Sequence, residues 1–351
     1  HPQSLWGRID CAHQDGQMSR LPEHPTIRIG VLGAARITRW SLIGPARRTL
    51  GVEVIAIAAR DRGRAALYAR HHGIPRVHDS YDELLLDDRV DAVYIALPAA
   101  LHARWAIAAI RSGKHVLVEK PFASNADAAR LIETADAAAH VIVMEAYHSA
   151  YHPIHARLRT LIDDGMLGEI EHASASFHPA VQPGSDIRWN PALGGGALLD
   201  IGYYPVRMLR ELFGLAPTVD SAAAESLGQI DHDVRATLTF EQGVTGRIEA
   251  SMWPRRRSRP RLAIVGTQGS LSLTSPYMPQ LAAVLRVRTR SSTFTRFASP
   301  TSTYRSQLEA FRNAITVGAP FPTGSDAAVQ QLETIDAIYR RAGLQPRADQ
   351  P

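Results

Sequence analysis

Ile27-Arg28-Ile29-Gly30-Val31-Leu32-Gly33 is short, rich in β-branched residues and ends in glycine. That is the pattern of a strand covered on both faces that turns sharply at its end. Working outward, the same unit recurs. A helix is predicted from about Arg36 to Thr49, then a second apolar strand, Val52 to Ala59 (VEVIAIAA). Arg62 to His72 reads as a helix stopped by Gly73, since glycine takes the left-handed conformation that ends helices. Ala92 to Leu97 is a strand ended by Pro98, and His102 to Arg111 a helix closed by Ser112-Gly113. His115 to Val118 is a strand. Ser124 is positioned to cap a helix to about Ala139, and Val141 to Met144 is the next strand. Strands alternating with helices of this length specify a doubly wound parallel sheet, so residues 26–148 are expected to form an α/β dinucleotide-binding domain of Rossmann type.

The rhythm changes after Tyr147. Strand-like segments follow one another: Ile170 to Phe177, Ala236 to Phe240, Thr245 to Ser251, Arg261 to Val265, Ser270 to Thr274 and Val284 to Thr289. Gln242-Gly243 marks a hairpin turn between two of them. Helices are predicted at 153–164, 197–213, 304–317 and 325–342. Residues 149–345 are therefore expected to form an α+β domain on a mostly antiparallel, open sheet.

The composition, 45% apolar and 21% charged over 351 residues, is that of a globular protein with a substantial core. A net charge of +5 suits anionic ligands without requiring nucleic acid. No apolar run reaches membrane-spanning length, so no membrane partner is expected. The single cysteine, Cys11, excludes an internal disulfide framework and fits a reducing, cytoplasmic setting. Residues 1–25 mix His, Gln, Asp, Gly and Pro without an apolar stretch, and are expected to be a disordered extension.

The turn after the first strand, Gly33-Ala34-Ala35-Arg36-Ile37-Thr38, is where backbone amides would face a pyrophosphate. The full GxGxxG pattern needs glycines at 33, 35 and 38, and only Gly33 is present. The second strand ends in Ala59-Arg60-Asp61. An acidic residue there suits a ribose 2′-hydroxyl, whereas an arginine suits a 2′-phosphate. Arg60, followed by Arg62 and Arg64, favours NADP over NAD, with Asp61 read as the cap of the next helix.

Glu119-Lys120-Pro121 follows a strand at its carboxyl end, where ligands sit in such folds. Farther on, Gly194-Gly195-Gly196 precedes a helix on which Asp200 and Tyr204 are spaced i, i+4 and share a face. An acid and a phenol beside a glycine loop could hold a hydroxyl-bearing substrate. Two other clusters invite competing readings. His148, His152 and His155 could line a helix and bind zinc, but Pro153 starts a helix rather than continuing one, and no metal is expected. The basic run Pro254 to Arg261 reads as a solvated loop between strands rather than a nucleic-acid contact.

Together these residues resemble the Gfo/Idh/MocA family, the glucose–fructose oxidoreductase and inositol dehydrogenase group. The matching pieces are the Gly33 turn, Leu97-Pro98-Ala99-Ala100-Leu101-His102, Glu119-Lys120-Pro121, Glu145-Ala146-Tyr147, the block from Asp186-Ile187-Arg188-Trp189 to Tyr204, and Ile335 to Arg340. Within the family the chain is most similar to the dimeric dihydrodiol dehydrogenase, xylose dehydrogenase and deoxysugar ketoreductase branch. The resemblance implies hydride transfer between NADP(H) and a CH–OH or ketone carbon of a sugar, polyol or cyclic diol. It implies a cofactor held by Gly33, Ala34, Ala35, Arg36, Ile37, Arg60, Leu97, Pro98, Leu101, His102, Glu119 and Lys120. Tyr204 would be the proton donor or acceptor, assisted by Lys120, with Asp200 binding substrate or orienting Tyr204. His148, Asp186, Arg188 and Trp189 would contact the substrate. It also implies a homodimer or homotetramer. A free tyrosine, with a pKa near ~10, is a poor base, and a nearby ammonium is expected to lower that value. The rival from another class is a non-catalytic nicotinamide-dinucleotide-binding redox sensor; such a protein could lose the lysine and tyrosine that this chain keeps.

Overall fold

The computed structural model describes residues 25–253 and 258–349, so most of the expected N-terminal extension lies outside the described residues. β1 (Ile27–Leu32) forms as anticipated. The helix expected after it is shorter: a π-helical turn, Arg39–Ile43, runs into α1 (Gly44–Ala46). Pro45 explains this, because it has no N–H to donate and its ring disrupts an α-helical ladder. β2 (Val52–Ala58) leads to α2 (Arg62–His72), capped by the Asp61 side chain at one end and by Gly73, at φ 72°, at the other. β3 (Arg76–His78) and α3 (Tyr81–Leu85) were not expected; they are too short and too polar to show a period. β4 (Ala92–Ile95), α4 (His102–Arg111), β5 (His115–Glu119), α5 (Ala126–Ala137) and β6 (Val143–Ala146) complete the unit. The cap of α5 is Asn125, not Ser124: Asn125 Oδ1 accepts from Ala128 N at 2.8 Å, while the Ser124 hydroxyl donates to Asp349. All six strands are parallel, in the order β3-β2-β1-β4-β5-β6.

The second unit follows α6 (Pro153–Asp163). It contains β7 (Ile170–His178), α7 (Tyr203–Phe213), β8 (Thr218–Leu227), β9 (Ile230–Thr239), β10 (Thr245–Ser251), β11 (Ser258–Gly266), β12 (Gly269–Thr274), β13 (Val284–Thr289) and β14 (Thr293–Phe297). Their order is β14-β13-β12-β11-β7-β10-β9-β8, antiparallel throughout except where β7 meets β10. The β9–β10 hairpin turns at Gln242 and Gly243, both at positive φ, as expected from that pair. β8 and β14 went unseen because they lie at the edges and are largely exposed, so no apolar alternation marks them. β11 starts at Ser258, so the second half of the basic run is strand rather than loop, and Pro254 to Arg257 fall outside the described residues.

Two closing helices tie the units together. α8 (Thr303–Val317) buries Leu308, Phe311 and Ala314 in the same cluster as Ile29, Val31 and Leu117 of the first sheet. α9 (Ser325–Arg341) places Leu332, Ile335 and Ile338 with Ala129 and Ile132 of α5. No helix among the described residues is long and apolar enough to cross a membrane.

Candidate active site

In a sheet of this order the chain leaves β1 in one direction and β4 in the other. The crevice this opens at the carboxyl ends of the strands is the natural ligand site. A cavity of about 630 Å³ lies there, with walls from both units, from Gly33 and Arg60 to Asp200 and Tyr204.

The first wall is the turn after β1. Gly33 has φ 100°, and a Cβ there would meet the Ala96 carbonyl oxygen at 2.7 Å. Neither the conformation nor the space admits a side chain. Beyond it, the amides of Ala34, Ala35, Arg36 and Ile37 donate to no group among the described residues. A run of unpartnered amides at a strand-to-helix turn fits the pyrophosphate of a dinucleotide. Replacing Gly33 by Ala is expected to cost about 1–3 kcal/mol of stability and to weaken dinucleotide binding, both readable by thermal unfolding with and without cofactor. Arg60 and Asp61 line the cavity at the end of β2. Asp61 is committed to its cap, accepting from Arg64 N at 2.6 Å, and the Arg64 guanidinium donates to Ala34 O at 2.8 Å. Arg62 turns away to Asp79.

The opposite wall is built on β5 and the segment before α7. Lys120 follows β5, joined to Pro121 by a cis peptide bond. Its ammonium donates to Asp200 Oδ1 at 2.6 Å and to Asp200 O at 3.1 Å, and lies 4.9 Å from the centre of the Tyr204 ring. Arg188 Nε donates to the other Asp200 oxygen, and its Nη1 reaches Asp186 at 3.2 Å. Burial alone would raise the Asp200 carboxyl, yet Lys120 and Arg188 hold it well below the usual carboxylate range. Glu119, accepting from Tyr94, is pushed up to about 7 by burial.

Asp200 sits in a second π-helical stretch, Leu198–Gly202, that runs into α7. The start of this stretch is pinned from below. Asp231 Oδ2 accepts from Leu198 N at 2.7 Å, and a Cβ on Gly196, at φ 139°, would strike Asp231 at 2.3 Å. Arg347, beyond α9, is the ionic partner of Asp231. The glycine run thus lets the backbone close on a buried carboxylate, which fixes where Asp200 and Tyr204 emerge.

Tyr204 is 8% exposed, and its hydroxyl lies 3.2 Å from His148 Nε2. Burial raises its pKa well above the ordinary value, and the carboxylates of Glu119 and Asp200 add to the rise. The expected lowering by Lys120 is therefore reversed. The ammonium is near the ring but pairs with Asp200, so it does not act as an isolated cation.

Of the sequence-predicted residues, Gly33, Ala34, Ala35, Ile37, Arg60, Leu97, Pro98, Leu101, Glu119, Lys120, Arg188, Asp200 and Tyr204 line one cavity. Four expected contacts lie elsewhere, and Arg36 offers the site only its amide. The Arg36 side chain is outside the lining, and His102 is buried, bonded to Leu97 O and Pro121 O. Asp186 reaches the site only through Arg188, and Trp189 packs against His232 and Trp253. His148 is buried behind Tyr204 rather than exposed to a substrate. His152 caps α6 through Ile154 N, and His155 faces Glu211, so the three histidines turn to different partners. Sequence reasoning did not find Tyr81, Phe177 and Tyr304 in the lining. Each comes from a different element, with no spacing to link it to the others.

Comparison with known proteins places the arrangement. Residues 27–147 match the oxidoreductase family with an NAD-binding Rossmann fold, and residues 155–272 match the GFO/IDH/MocA C-terminal domain. A D-xylose 1-dehydrogenase (NADP(+)) of Haloferax volcanii is 35% identical over 317 residues, covering 89% of this chain and 96% of the relative. A dTDP-3,4-didehydro-2,6-dideoxy-alpha-D-glucose 3-reductase of Actinomadura kijaniata is 33% identical over 89% of this chain and 94% of its own. The crystal structure of a 3-ketoreductase from Actinomadura kijaniata in complex with NADP and TDP-benzene superposes with a TM-score of 0.84 at 29% identity, covering 93% of this chain and all of that one. The chain belongs to the Gfo/Idh/MocA family of oxidoreductases.

Proposed function

We propose that the protein transfers hydride between NADP(H) and a carbinol or ketone carbon of a sugar, polyol or cyclic diol, with Tyr204 giving or taking the proton. The observation that carries this reading is one cavity lined by the open-amide turn, Lys120 and Tyr204. When bound, the nicotinamide supplies or accepts the hydride. The protein supplies alignment and the proton. Lys120 and Arg188, held by Asp200, form a fixed polar floor that can orient the hydroxyls of a substrate. Because burial keeps Tyr204 protonated, it is poised to donate to a ketone oxygen as that oxygen gains charge, and in the reverse direction the same oxygen would take the carbinol proton. Aromatic side chains of Phe177 and Tyr304 help exclude water from this end.

The choice of NADP rests on Arg60. Its side chain makes no ion pair among the described residues, whereas Asp61, the acid that could receive a ribose hydroxyl, is taken by its cap. Replacing Arg60 by Ala is expected to weaken NADP binding about tenfold or more while leaving NAD binding nearly unchanged. Equal losses for the two cofactors in a fluorescence titration would remove the 2′-phosphate role. The activity itself is tested by following cofactor absorbance with a panel of aldoses, ketoses, polyols and cyclic diols. Cofactor binding without turnover of any of them would favour the redox-sensor reading instead.

A further inference from the structure

We propose that Thr303, at the start of α8, fixes the tautomer of His148 and so aims the Tyr204 proton into the cavity. This rests on the reading of Tyr204 as proton donor. The four groups involved form a chain that runs from the cavity into the protein. Tyr204 OH lies 3.2 Å from His148 Nε2, and His148 Nδ1 lies 2.9 Å from Thr303 Oγ1. Gln280 Nε2 donates to that same Thr303 oxygen at 3.2 Å.

A hydroxyl carries one proton, and a neutral imidazole carries one N–H. Thr303 Oγ1 has no further partner among the described residues, so with Gln280 donating to it, its proton goes to His148 Nδ1. The imidazole proton must then sit on Nε2, from which it is donated to the Tyr204 oxygen. Tyr204 cannot also donate to His148, and its O–H is left to point at the cavity that it lines. The imidazole stays neutral throughout, because burial, with the Lys120 ammonium adding to the effect, pushes its pKa down to about 3. The Tyr304 ring, 4.1 Å from the imidazole centre, packs against its face and restrains the plane.

The consequence is directional. During reduction the Tyr204 O–H bond breaks, the proton passes to the substrate oxygen as the carbonyl carbon takes the hydride that NADPH would supply, and the phenolate left behind keeps the His148 Nε2–H as a donor. The reverse chain forms if Gln280 is turned about its amide, so that its buried Oε1, otherwise without a partner among the described residues, accepts from Thr303. Thr303 would then donate to Gln280, His148 Nδ1–H to Thr303, and Tyr204 to Nε2, and the substrate oxygen would face a lone pair. Thr303 and His148 act through Tyr204 and are positioning residues.

The two chains differ in which nitrogen of His148 is protonated, and nitrogen NMR reads this directly. The full chain is labelled at histidine with nitrogen-15, and His148 is assigned by the signal lost in His148→Gln. The wild-type protein is expected to show the Nε2–H tautomer. Thr303→Val, which keeps the shape and removes the hydroxyl, takes away the donor to Nδ1 and should weaken the preference for the Nε2–H form. It should also lower kcat for ketone reduction at least about tenfold, with KM and the Kd for NADPH little changed. Thr303→Ser should recover most of both effects. An Nδ1–H tautomer in the wild type, or Thr303→Val with unaltered kcat, overturns the proposal. If Tyr204→Phe keeps full turnover, the proton-donor reading fails, whereas a wrong tautomer alongside an inactive Tyr204→Phe defeats only the inference drawn here.

Discussion

Tyr204→Phe is expected to lower turnover by about 10²- to 10⁴-fold, the range that positioned proton transfer contributes. The substitution removes one oxygen and leaves the ring, which is packed within 5.6 Å of the Tyr147, Phe177 and Tyr277 rings. Dinucleotide affinity should be unchanged, since the turn that would take the pyrophosphate lies on the other wall. The loss should appear in kcat rather than in KM, because an interaction specific to the reacting oxygen is weak in the ground state. Its pH dependence follows from the site. Tyr204 stays protonated well past neutral pH and His148 stays neutral to about pH 3, so the wild-type rate of reduction should show no acid limb from either group between about pH 5 and 7. Stopped or steady-state rates across that interval check this, and a Phe variant with unaltered kcat would take Tyr204 out of the chemistry.

The largest effect on stability is expected at Arg207→Met. Arg207, on α7 below the site, is 3% exposed. It donates to Glu211 Oε1 at 2.7 Å and to the carbonyls of Ala327 and Pro322, and lies 3.7 Å from Glu145 Oε2. Glu145 is fully buried and also receives the Tyr203 hydroxyl. Removing the cation strands a carboxylate where water cannot reach it, which costs about 3–5 kcal/mol. The sign of the pH dependence can be stated. Burial raises Glu145 above its ordinary value despite the pull of Arg207, so the folded state holds this proton to higher pH than the unfolded state does. Stability contributed in this way is present at low pH and is lost as pH rises through the folded value. Without Arg207 that value moves higher still, and the Glu211 carboxyl that Arg207 holds low rises with it, so the deficit of the variant should shrink on acidification. Urea unfolding at several pH values measures it. A deficit that is small or independent of pH would show that Arg207 does not offset the Glu145 charge.

What could be read from the chain depended on whether a physical constraint was local. β1, β2, β4 and β5 are covered on both faces over most of their length, so each carries a mostly apolar run, broken only by Arg28, Glu53 and the ends of β5. β8 is an edge strand of small and polar residues, and nothing in TVDSAAAESL distinguishes it from a loop. The π-helical stretch before α1 follows from Pro45, a constraint that is local in the chain. In the site, Lys120 and Tyr204 were legible because each stands in a distinctive local setting, a strand end and a glycine-led helix. The direction of the Tyr204 shift was not legible, because it depends on what Lys120 is paired with across the cavity. His148 was read as a substrate contact for the same reason: its polarity is visible in the sequence, but the helix that buries it, α8, lies far along the chain.

The return of α8 to the first sheet also bears on synthesis. Translation delivers the chain from its N-terminal end, and domains usually fold in that order as they emerge. Here the six parallel strands are complete long before Leu308, Phe311 and Ala314 exist to cover one of their faces. The ribosome therefore holds a sheet with an open apolar surface while the whole second unit is being made, and contacts of such wide sequence separation form slowly. That face of the sheet gains its cover only when α8 has been released.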